Sequence, residues 1–418
     1  MAGEGRHIAV VAPPLTGHYR PLGVLAAKLR ARGHRVTFVH MPDAAAAVEG
    51  GAGFRAVAAD RLPPGALGAY ARKLARAGGP LGLPAMIRAN AAITDALLDE
   101  LPGALRAMGA DAVVAESAEP AGALAARACG LPFVTSHTGL PLNRERGVPP
   151  PFVGWRYRPG ERGAKWNEGG YRVADRLLRP TTRVVEAAAA RWGLDPLVDG
   201  GFSPLLQVAQ CVRGLDFPRA ELPPSFRYCG PFRRAPEPAP ELPDDRPLVF
   251  CSLGSLQGNR VRAFRAMARA CAGLGLRAVV GHAGRLSDRD AARIGHGALV
   301  RGFWPQEAVL ERCAAAMLHG GFNTVADALA AGVPVVVAPI AFEQPATAAR
   351  VAHAGAGRVL KGRLTARRLR RELARVLEEP SYAESAARLA AETRAAGGAD
   401  YAAELITRAL ATGRTPDF

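Results

Sequence analysis

A strand, a helix and a second strand follow one another at the start of this chain, and this unit limits the folds that the chain can adopt. Residues 7–13 (HIAVVAP) are typical of a strand, residues 21–33 of a helix with an apolar face that ends at Gly33, and residues 34–40 (HRVTFVH) of the next strand. Two strands joined by a crossover helix form a right-handed unit with parallel strands. The pattern therefore predicts an α/β fold built on parallel sheets.

The same pattern returns after residue 110, where residues 119–130 form the crossover helix, and again after residue 246. The further predicted strands are 111–116, 131–136, 247–254, 277–284, 298–303, 314–321 and 333–340. Residues 61–90 and 141–180 are interrupted by Pro and Gly, which favours long loops and short helices laid over the first domain.

Residues 217–247 change the composition of the chain, since Pro is frequent there and charges alternate. Such a segment is typical of a semi-rigid linker. A chain of 418 residues is also too long for one ordinary core. We therefore predict two Rossmann-like domains facing each other across a cleft, residues 1–217 and 247–418, joined by a linker at 218–246. Ligands of such folds bind at the carboxyl ends of the strands.

Composition and charge exclude several classes of protein. The net charge is +17, but the excess is spread along the chain and is almost entirely Arg, without the clustered, aromatic-interleaved stripe of a nucleic-acid-binding protein. The six cysteines form no CxxC pair, which predicts reduced thiols and no metal site. No apolar run reaches the length of a membrane span, and the N-terminus lacks a signal-peptide pattern. We expect a cytoplasmic protein that binds no nucleic acid.

The most informative segment is 301–345. A strand there runs into His319, Gly320 and Gly321, and a helix opens at about Asn323. Two glycines allow a ligand to approach the backbone closely, and the free N–H groups at the start of a helix attract anions. This arrangement predicts a diphosphate site, in which His319 donates to an anionic oxygen.

This segment resembles the donor-binding signature of the family 1 UDP-glycosyltransferases, which have the two-domain GT-B fold. The resemblance implies a C-terminal helix that returns to the N-terminal domain, and a UDP-sugar as co-substrate without a cofactor. The resemblance implies that Phe303, with Trp304 beside it, stacks on the uracil ring and that Gln306 meets the edge of that ring. It assigns the ribose to Asp327, the sugar hydroxyls to Glu343 and Gln344, and a turn that faces the phosphates to Ser255. The residues assigned to the diphosphate are His319, Gly320, Gly321, Asn323 and Thr324.

Three features of the segment depart from the family pattern. The stretch before His319 is two residues shorter than in plant members, Asp327 replaces a longer Glu, and Glu343 replaces a shorter Asp.

A second segment, 12–22 (APPLTGHYRPL), carries the expected base. His18 follows the first strand, in a turn that faces the predicted cleft. A sugar acceptor's hydroxyl must lose its proton as it attacks, and a histidine held by a carboxylate is suited to remove it. Glu116 and Glu119 both follow a neighbouring strand, and either could supply that carboxylate. The family resemblance places the partner at Glu116 and implies an inverting reaction without a metal.

Two other patterns suggest chemistry that we do not expect. Asp288 and Asp290 match the D-x-D pattern by which other glycosyltransferases hold a metal ion, but Ser287 or Asp288 is placed to cap a helix. No G-x-G-x-x-G follows a strand, which argues against a nicotinamide enzyme.

Most of the chain also resembles one bacterial subgroup of the family, the zeaxanthin glucosyltransferases, notably at 140–147 (LPLNRERG) and 255–260 (SLQGNR). This implies UDP-glucose as donor and a lipophilic hydroxylated carotenoid as acceptor. Residues 81–86 could form a peripheral membrane contact or an ordinary covering helix. A macrolide or polyketide glycosyltransferase of the same fold, and a non-catalytic GT-B partner subunit, remain alternatives. Retention of His18, Glu116 and the donor motif argues against the second.

Overall fold

A computed structural model describes residues 5–75, 82–195, 199–235, 237–238, 240–243 and 245–416. Over these residues the chain forms two parallel sheets, one of seven strands and one of six. The predicted α/β class with two Rossmann-like halves is confirmed. No helix in the described part of the chain is long and apolar enough to cross a membrane.

The first sheet has the strand order β3-β2-β1-β4-β5-β6-β7, with every neighbour parallel. All side chains of β1 and β4 are buried, as expected of central strands covered on both faces. The strands are β1 (His7–Val11), β2 (Arg35–His40), β3 (Gly53–Ala56), β4 (Ala112–Glu116), β5 (Phe133–His137), β6 (Gln207–Ala209) and β7 (Phe226–Tyr228). The helices of this half are α1 (Thr16–Arg30), α2 (Ala66–Ala75), α3 (Gly82–Ala107), α4 (Pro120–Ala128) and α5 (Glu161–Arg191).

The second sheet has the order β10-β9-β8-β11-β12-β13, again parallel throughout. Its strands are β8 (Leu248–Ser252), β9 (Arg277–Gly281), β10 (Leu299–Arg301), β11 (Cys313–Leu318), β12 (Val335–Val337) and β13 (Gly357–Val359). The helices of this half are α6 (Gly254–Gln257), α7 (Val261–Ala272), α8 (Asp288–Ala292), α9 (Gln306–Leu310), α10 (Phe322–Ala330), α11 (Gln344–His353), α12 (Ala366–Glu378), α13 (Pro380–Ala395) and α14 (Gly398–Thr412).

Two sequence-based expectations are corrected by the structure. The segments 61–90 and 141–180, expected to hold loops and short helices, contribute to the 26-residue α3 and the 31-residue α5. Pro102 and Pro180 lie inside these helices. A proline removes one backbone hydrogen bond, and here packing of the long helices against each other and against the core outweighs that local cost.

The segment predicted as linker, 218–246, is only partly a linker. Phe226–Tyr228 form β7, which pairs with β6 and completes the first sheet. The high Pro content around this three-residue strand hides its signal. The division of the chain into domains otherwise stays a prediction.

The two halves contact each other in at least two places. Helix α14 lies against α1, where Lys28 Nζ is 2.6 Å from Asp400 Oδ2, and against the loop after α1, where His34 Nε2 is 2.9 Å from Thr407 Oγ1. A buried ion pair joins Asp216, which precedes β7, to Arg350 of α11, with Nε–Oδ1 at 2.6 Å. These contacts join the two halves of the chain.

Candidate active site

His18 lies in the first turn of α1, and its imidazole is about one-quarter exposed (27%). The helix starts at Thr16, five residues earlier than the sequence indicated, so His18 is part of the helix rather than of the turn before it. Its Nδ1 is 2.9 Å from Thr138 Oγ1 and 3.4 Å from Glu116 Oε2. The ring is therefore held through one nitrogen by two oxygens.

Glu116 is the last residue of β4, and its side chain is buried. Its Oε1 accepts a hydrogen bond from Thr138 Oγ1 at 2.7 Å, and its Oε2 accepts one from the backbone N–H of Ala118 at 2.9 Å. Burial alone would raise the pKa of Glu116, but the adjacent His18 and these donors outweigh it and lower the pKa to about 2. The carboxylate is therefore ionised at neutral pH.

These bonds determine the tautomer of His18. Since the Thr138 hydroxyl donates its proton to Glu116, its oxygen is left to accept one, and the donor is Nδ1–H of His18. The lone pair then lies on Nε2, the nitrogen that can take a proton from another molecule. Burial alone would lower the pKa of His18, but the charge of Glu116 and its hydrogen bond outweigh burial and raise that pKa.

Glu119 was the other candidate for the carboxylate partner of His18, but it has a different role in the structure. Its Oε1 accepts from Ala121 N–H and from Thr94 Oγ1, which makes it the N-cap of α4. Burial raises its pKa to about 7. The structure therefore places Glu116, and not Glu119, beside His18.

The turn after β11 forms the opposite side of the cleft. Gly320 has φ of +94°, and a Cβ there would come within 2.8 Å of Val337 Cγ1. The imidazole of His319 lies against Gly254 and Gly321, where an added Cβ would come 2.6 and 2.5 Å from Nε2. Only glycines allow this backbone to fold around the ring.

His319 is held neutral. Burial lowers its pKa to about 4, and its Nδ1 has no hydrogen-bond partner among the residues described by the structure. A neutral imidazole can donate one N–H to an oxygen of a ligand. Ser255 and Thr324 line the cleft near this turn.

The turn after β11 and the start of α1 are in contact through Asn323, whose Nδ2 donates to the carbonyl of Gly17 at 2.6 Å. Inside a helix that carbonyl would accept from the N–H of residue 21, but residue 21 is Pro and has no N–H. The proline in the sequence GHYRP thus leaves the Gly17 carbonyl free to bind Asn323, one residue from His18. This hydrogen bond links the start of α10, which follows the turn after β11, to the residue next to His18.

Between the sheets lies a cleft of about 290 Å³, lined by residues of both halves. These include Thr16, Gly17, Arg20, Arg233, Ser255, Phe303, Trp304, Gln306, Asn323, Thr324 and Asp327. The structure therefore brings together seven of the twelve residues predicted for the donor, next to the start of the helix that carries His18. The other five, His319, Gly320, Gly321, Glu343 and Gln344, are not among the residues that line this cleft.

Comparisons with known proteins agree with this geometry. Residues 278–407 match the family model described as Erythromycin biosynthesis protein CIII-like, C-terminal domain. Zeaxanthin glucosyltransferase of Pantoea ananas is 36% identical over 98% of this chain and 97% of its own length, and that of Pseudescherichia vulneris is 37% identical over 97% and 98%. This chain is a family 1 glycosyltransferase. The crystal structure of a calicheamicin glycosyltransferase, 25% identical, superposes with a TM-score of 0.74 over 98% of this chain and 99% of the other.

Within the glycosyltransferase, the two aromatic side chains of the donor motif differ in freedom. Trp304 is anchored, because its Nε1 donates to the Val280 carbonyl at 2.9 Å and Arg301 lies over its ring at 4.3 Å. Phe303 is 74% exposed, with a face free to stack on a base. The roles assigned to Phe303 and Trp304 at the base of the nucleotide stay predictions.

The side chains predicted for the ribose and the uracil edge are bonded to each other. Gln306 Nε2 donates to Asp327, and Arg233 binds the same carboxylate with Nη2–Oδ1 at 2.7 Å. Sequence reasoning missed Arg233, because this residue comes from the Pro-rich segment and reaches Asp327 only through the tertiary fold. A ribose could reach Asp327 only in competition with this cation.

Glu343 and Gln344 stand at the start of α11. The side-chain oxygen of Gln344 accepts from the backbone N–H groups of Ile340 and Ala341 at 2.8 and 2.9 Å, so it shapes its own loop and has only Nε2 left for a sugar. Burial raises the pKa of Glu343, and its charge helps to raise the pKa of His18. The roles assigned to both residues stay predictions.

The D-x-D pattern is part of a helix cap in this glycosyltransferase. Ser287 is the N-cap of α8 and its Oγ accepts from Asp290 N–H, while Asp290 pairs with Arg293. No group of three His, Cys, Asp or Glu able to hold a metal ion occurs among the described residues. All six cysteines are free thiols, and only Cys129 is not fully buried.

Thr138 is the residue of the catalytic side that sequence reasoning missed. It follows β5, which pairs with β4, so its hydroxyl lies next to the end of the strand that carries Glu116. A polar residue just after a strand neighbouring the one that ends in Glu116 was the available signal.

Proposed function

We propose that this glycosyltransferase moves glucose from UDP-glucose to a hydroxyl of a carotenoid such as zeaxanthin, with inversion at the anomeric carbon. Two relatives named as zeaxanthin glucosyltransferases are 36% and 37% identical over nearly the whole chain, and their names support this donor class and acceptor. The observation that carries the proposal is the coupling of a base to a donor turn, in which Asn323 holds Gly17 beside His18 while Glu116 holds the imidazole.

In the proposed reaction the acceptor hydroxyl gives its proton to Nε2 of His18 as its oxygen bonds to the anomeric carbon. Glu116 stabilises the imidazolium that forms, and Thr138 keeps the ring in the orientation that presents Nε2. The pKa of His18 is raised by Glu116, so the imidazole is a stronger base than an isolated histidine.

The bond from the anomeric carbon to the diphosphate breaks on the opposite face of the sugar. The leaving group's negative charge would be met by the N–H groups at the start of α10, which follows Gly321, and by the neutral N–H of His319. Since these groups can carry the charge, the proposal requires no metal ion.

The test is transfer itself. The purified protein is incubated with UDP-glucose and a panel of carotenols and macrolide aglycones, and the products are read by mass spectrometry. We expect a hexose mass added to zeaxanthin and none to the macrolides. Transfer to a macrolide with none to any carotenol would contradict the proposed acceptor.

A carotenol is insoluble in water and resides in a lipid bilayer. We therefore also propose that the protein makes peripheral contact with a membrane while it acts.

A further inference from the structure

Exposed apolar side chains concentrate on one helix of the first domain. Among the large hydrophobic residues that the described part of the chain exposes, Trp166, Val173, Leu177 and Leu178 belong to α5. Trp166 and Val173 are 56% and 61% exposed, and the spacing of 166, 173 and 177 places three of these side chains on one face of the helix. Large apolar groups kept in water in this way indicate a surface that something else covers.

Basic side chains line the neighbouring face of the same helix. They are Lys165, Arg172, Arg176, Arg179 and Arg183, all exposed and at intervals of about one or two helical turns. None of them forms an ion pair with any residue that the structure describes. The acidic residues Glu168 and Asp175 of α5 are instead paired with Arg146 and Arg144 of the preceding loop. We call Trp166, Val173 and Leu177 with these five cations the α5 face.

The α5 face continues to the mouth of the active site. The rings of Trp155 and Trp166 lie 5.3 Å apart, and Phe152 adds another exposed aromatic side chain. Gly154, in the loop between Phe152 and Trp155, lies against Pro345, since a Cβ on Gly154 would come 3.1 Å from the Pro345 Cβ. Pro345 follows Gln344, so the apolar surface begins beside the loop predicted to bind the sugar.

We propose that the α5 face docks this glycosyltransferase on an anionic lipid membrane. A helix with an apolar stripe beside a row of cations is suited to the boundary between acyl chains and anionic headgroups, and Trp favours that boundary. Charge complementarity selects this occupant, because two copies of the face packed against each other would bring ten unpaired cations together. The surface deepens the proposed function, since it would bring the active-site mouth to the bilayer that holds the acceptor.

The sequence suggested residues 81–86 for a membrane contact, but the structure shows that this segment contributes few exposed apolar side chains. Leu83 is exposed at the first turn of α3, which packs along α5, but Met86 packs against the core and Leu81 lies outside the described residues. The segment is mainly a covering helix that adds one apolar side chain near the α5 face.

The test is co-sedimentation of the full-length protein with vesicles of phosphatidylcholine alone or with added phosphatidylglycerol, without substrates. We expect binding to the anionic vesicles only. The triple variant Arg172→Gln, Arg176→Gln, Arg179→Gln should lose about 100-fold in partitioning, because each cation near an anionic surface contributes about fivefold. Val173→Asp should also abolish most binding, since it replaces an apolar contact by a charge.

A matched control removes the same charge elsewhere. Arg262, Arg265 and Arg269 are exposed at similar spacing on α7, where no large hydrophobic residue is exposed among the described residues. Their triple change to Gln should leave vesicle binding within about twofold of the wild type. An equal loss in both triple variants would overturn the proposal, because net charge and not the α5 face would then govern binding.

Two further outcomes would also overturn it: equal binding to both kinds of vesicle, or no vesicle binding together with a dimer that Val173→Asp dissociates. Thermal unfolding and UDP binding of each variant show whether it is folded. The two proposals fail separately. Vesicle binding by a protein that transfers no sugar to carotenols refutes only the proposed function, and carotenol transfer in detergent without vesicle binding refutes only the docking surface.

Discussion

Replacing Glu116 with Gln tests how the imidazole of His18 is prepared to take a proton. The change keeps the size of the side chain but removes the charge that lies 3.4 Å from Nδ1 and faces the imidazolium as it forms. A hydrogen bond to a charged group contributes about 1.5–3 kcal/mol and a neutral one about 0.5–1.5 kcal/mol. The difference, about 1–2 kcal/mol, predicts a loss in turnover of about 5- to 30-fold. His18→Ala should cost about 100-fold or more, while donor binding changes little.

The pH dependence gives the sharper result. A protonated His18 cannot act as a base, so kcat/KM rises with pH through the pKa of His18 in the free enzyme. Glu116 raises that pKa against the effect of burial. In Glu116→Gln only burial and the more distant Glu343 remain, so the pKa should fall and the acidic limb of the profile should move to lower pH.

The assay is kcat/KM for transfer from UDP-glucose, measured across pH for the wild type, Glu116→Gln and Glu119→Gln. Glu119 is a matched control, because it is a buried glutamate three residues further on that caps α4 and does not contact His18. Its replacement should leave the acidic limb in place. If Glu119→Gln moves the limb while Glu116→Gln does not, the assignment of the partner carboxylate is wrong.

Three other predictions concern the donor, metal ions and the domain interface. Gln344→Ala should erode a preference for UDP-glucose over UDP-galactose in kcat/KM, whereas His319→Ala should weaken every UDP-sugar alike; the reverse pattern would show that these roles are misassigned. A chelator should leave transfer rates largely unchanged, and a strict requirement for a divalent ion would refute the proposed mechanism. Arg350→Met should lower the free energy of unfolding, measured in urea, by about 1.5–3 kcal/mol, because the buried Asp216 loses one charged hydrogen-bond partner and keeps only Arg219 as a cation beside it. The exposed control Arg293→Met should cost at most about 1 kcal/mol, and equal costs would contradict the role of burial.

The sequence indicated the central strands because they are buried on both faces and appear as continuous apolar runs, as in β1 and β8. The edge strands β3, β7 and β13 were missed, because a strand of three or four residues is too short to show an alternating pattern. The 31-residue α5 was missed because Pro180 suggests a break locally, whereas packing against α3 decides the outcome.

Some residues of the candidate site could likewise be predicted from the sequence and others could not. Residues that form a contiguous motif, such as His319 to Thr324, could be predicted from their order along the chain. Thr138 and Arg233 could not, because each reaches its partner from a segment that is distant in sequence. The role of Pro21 also became clear only once Asn323 was seen on the carbonyl that it leaves free.

The central claim is that glucose is joined to a carotenol by direct displacement at the anomeric carbon. It is tested most directly by incubating the wild type with UDP-glucose and zeaxanthin and determining the anomeric configuration of the isolated glucoside by NMR. The donor has an α linkage, so direct displacement predicts a β-glucoside. An α-glucoside, or no glucoside from an enzyme that does glycosylate another acceptor, would contradict the account.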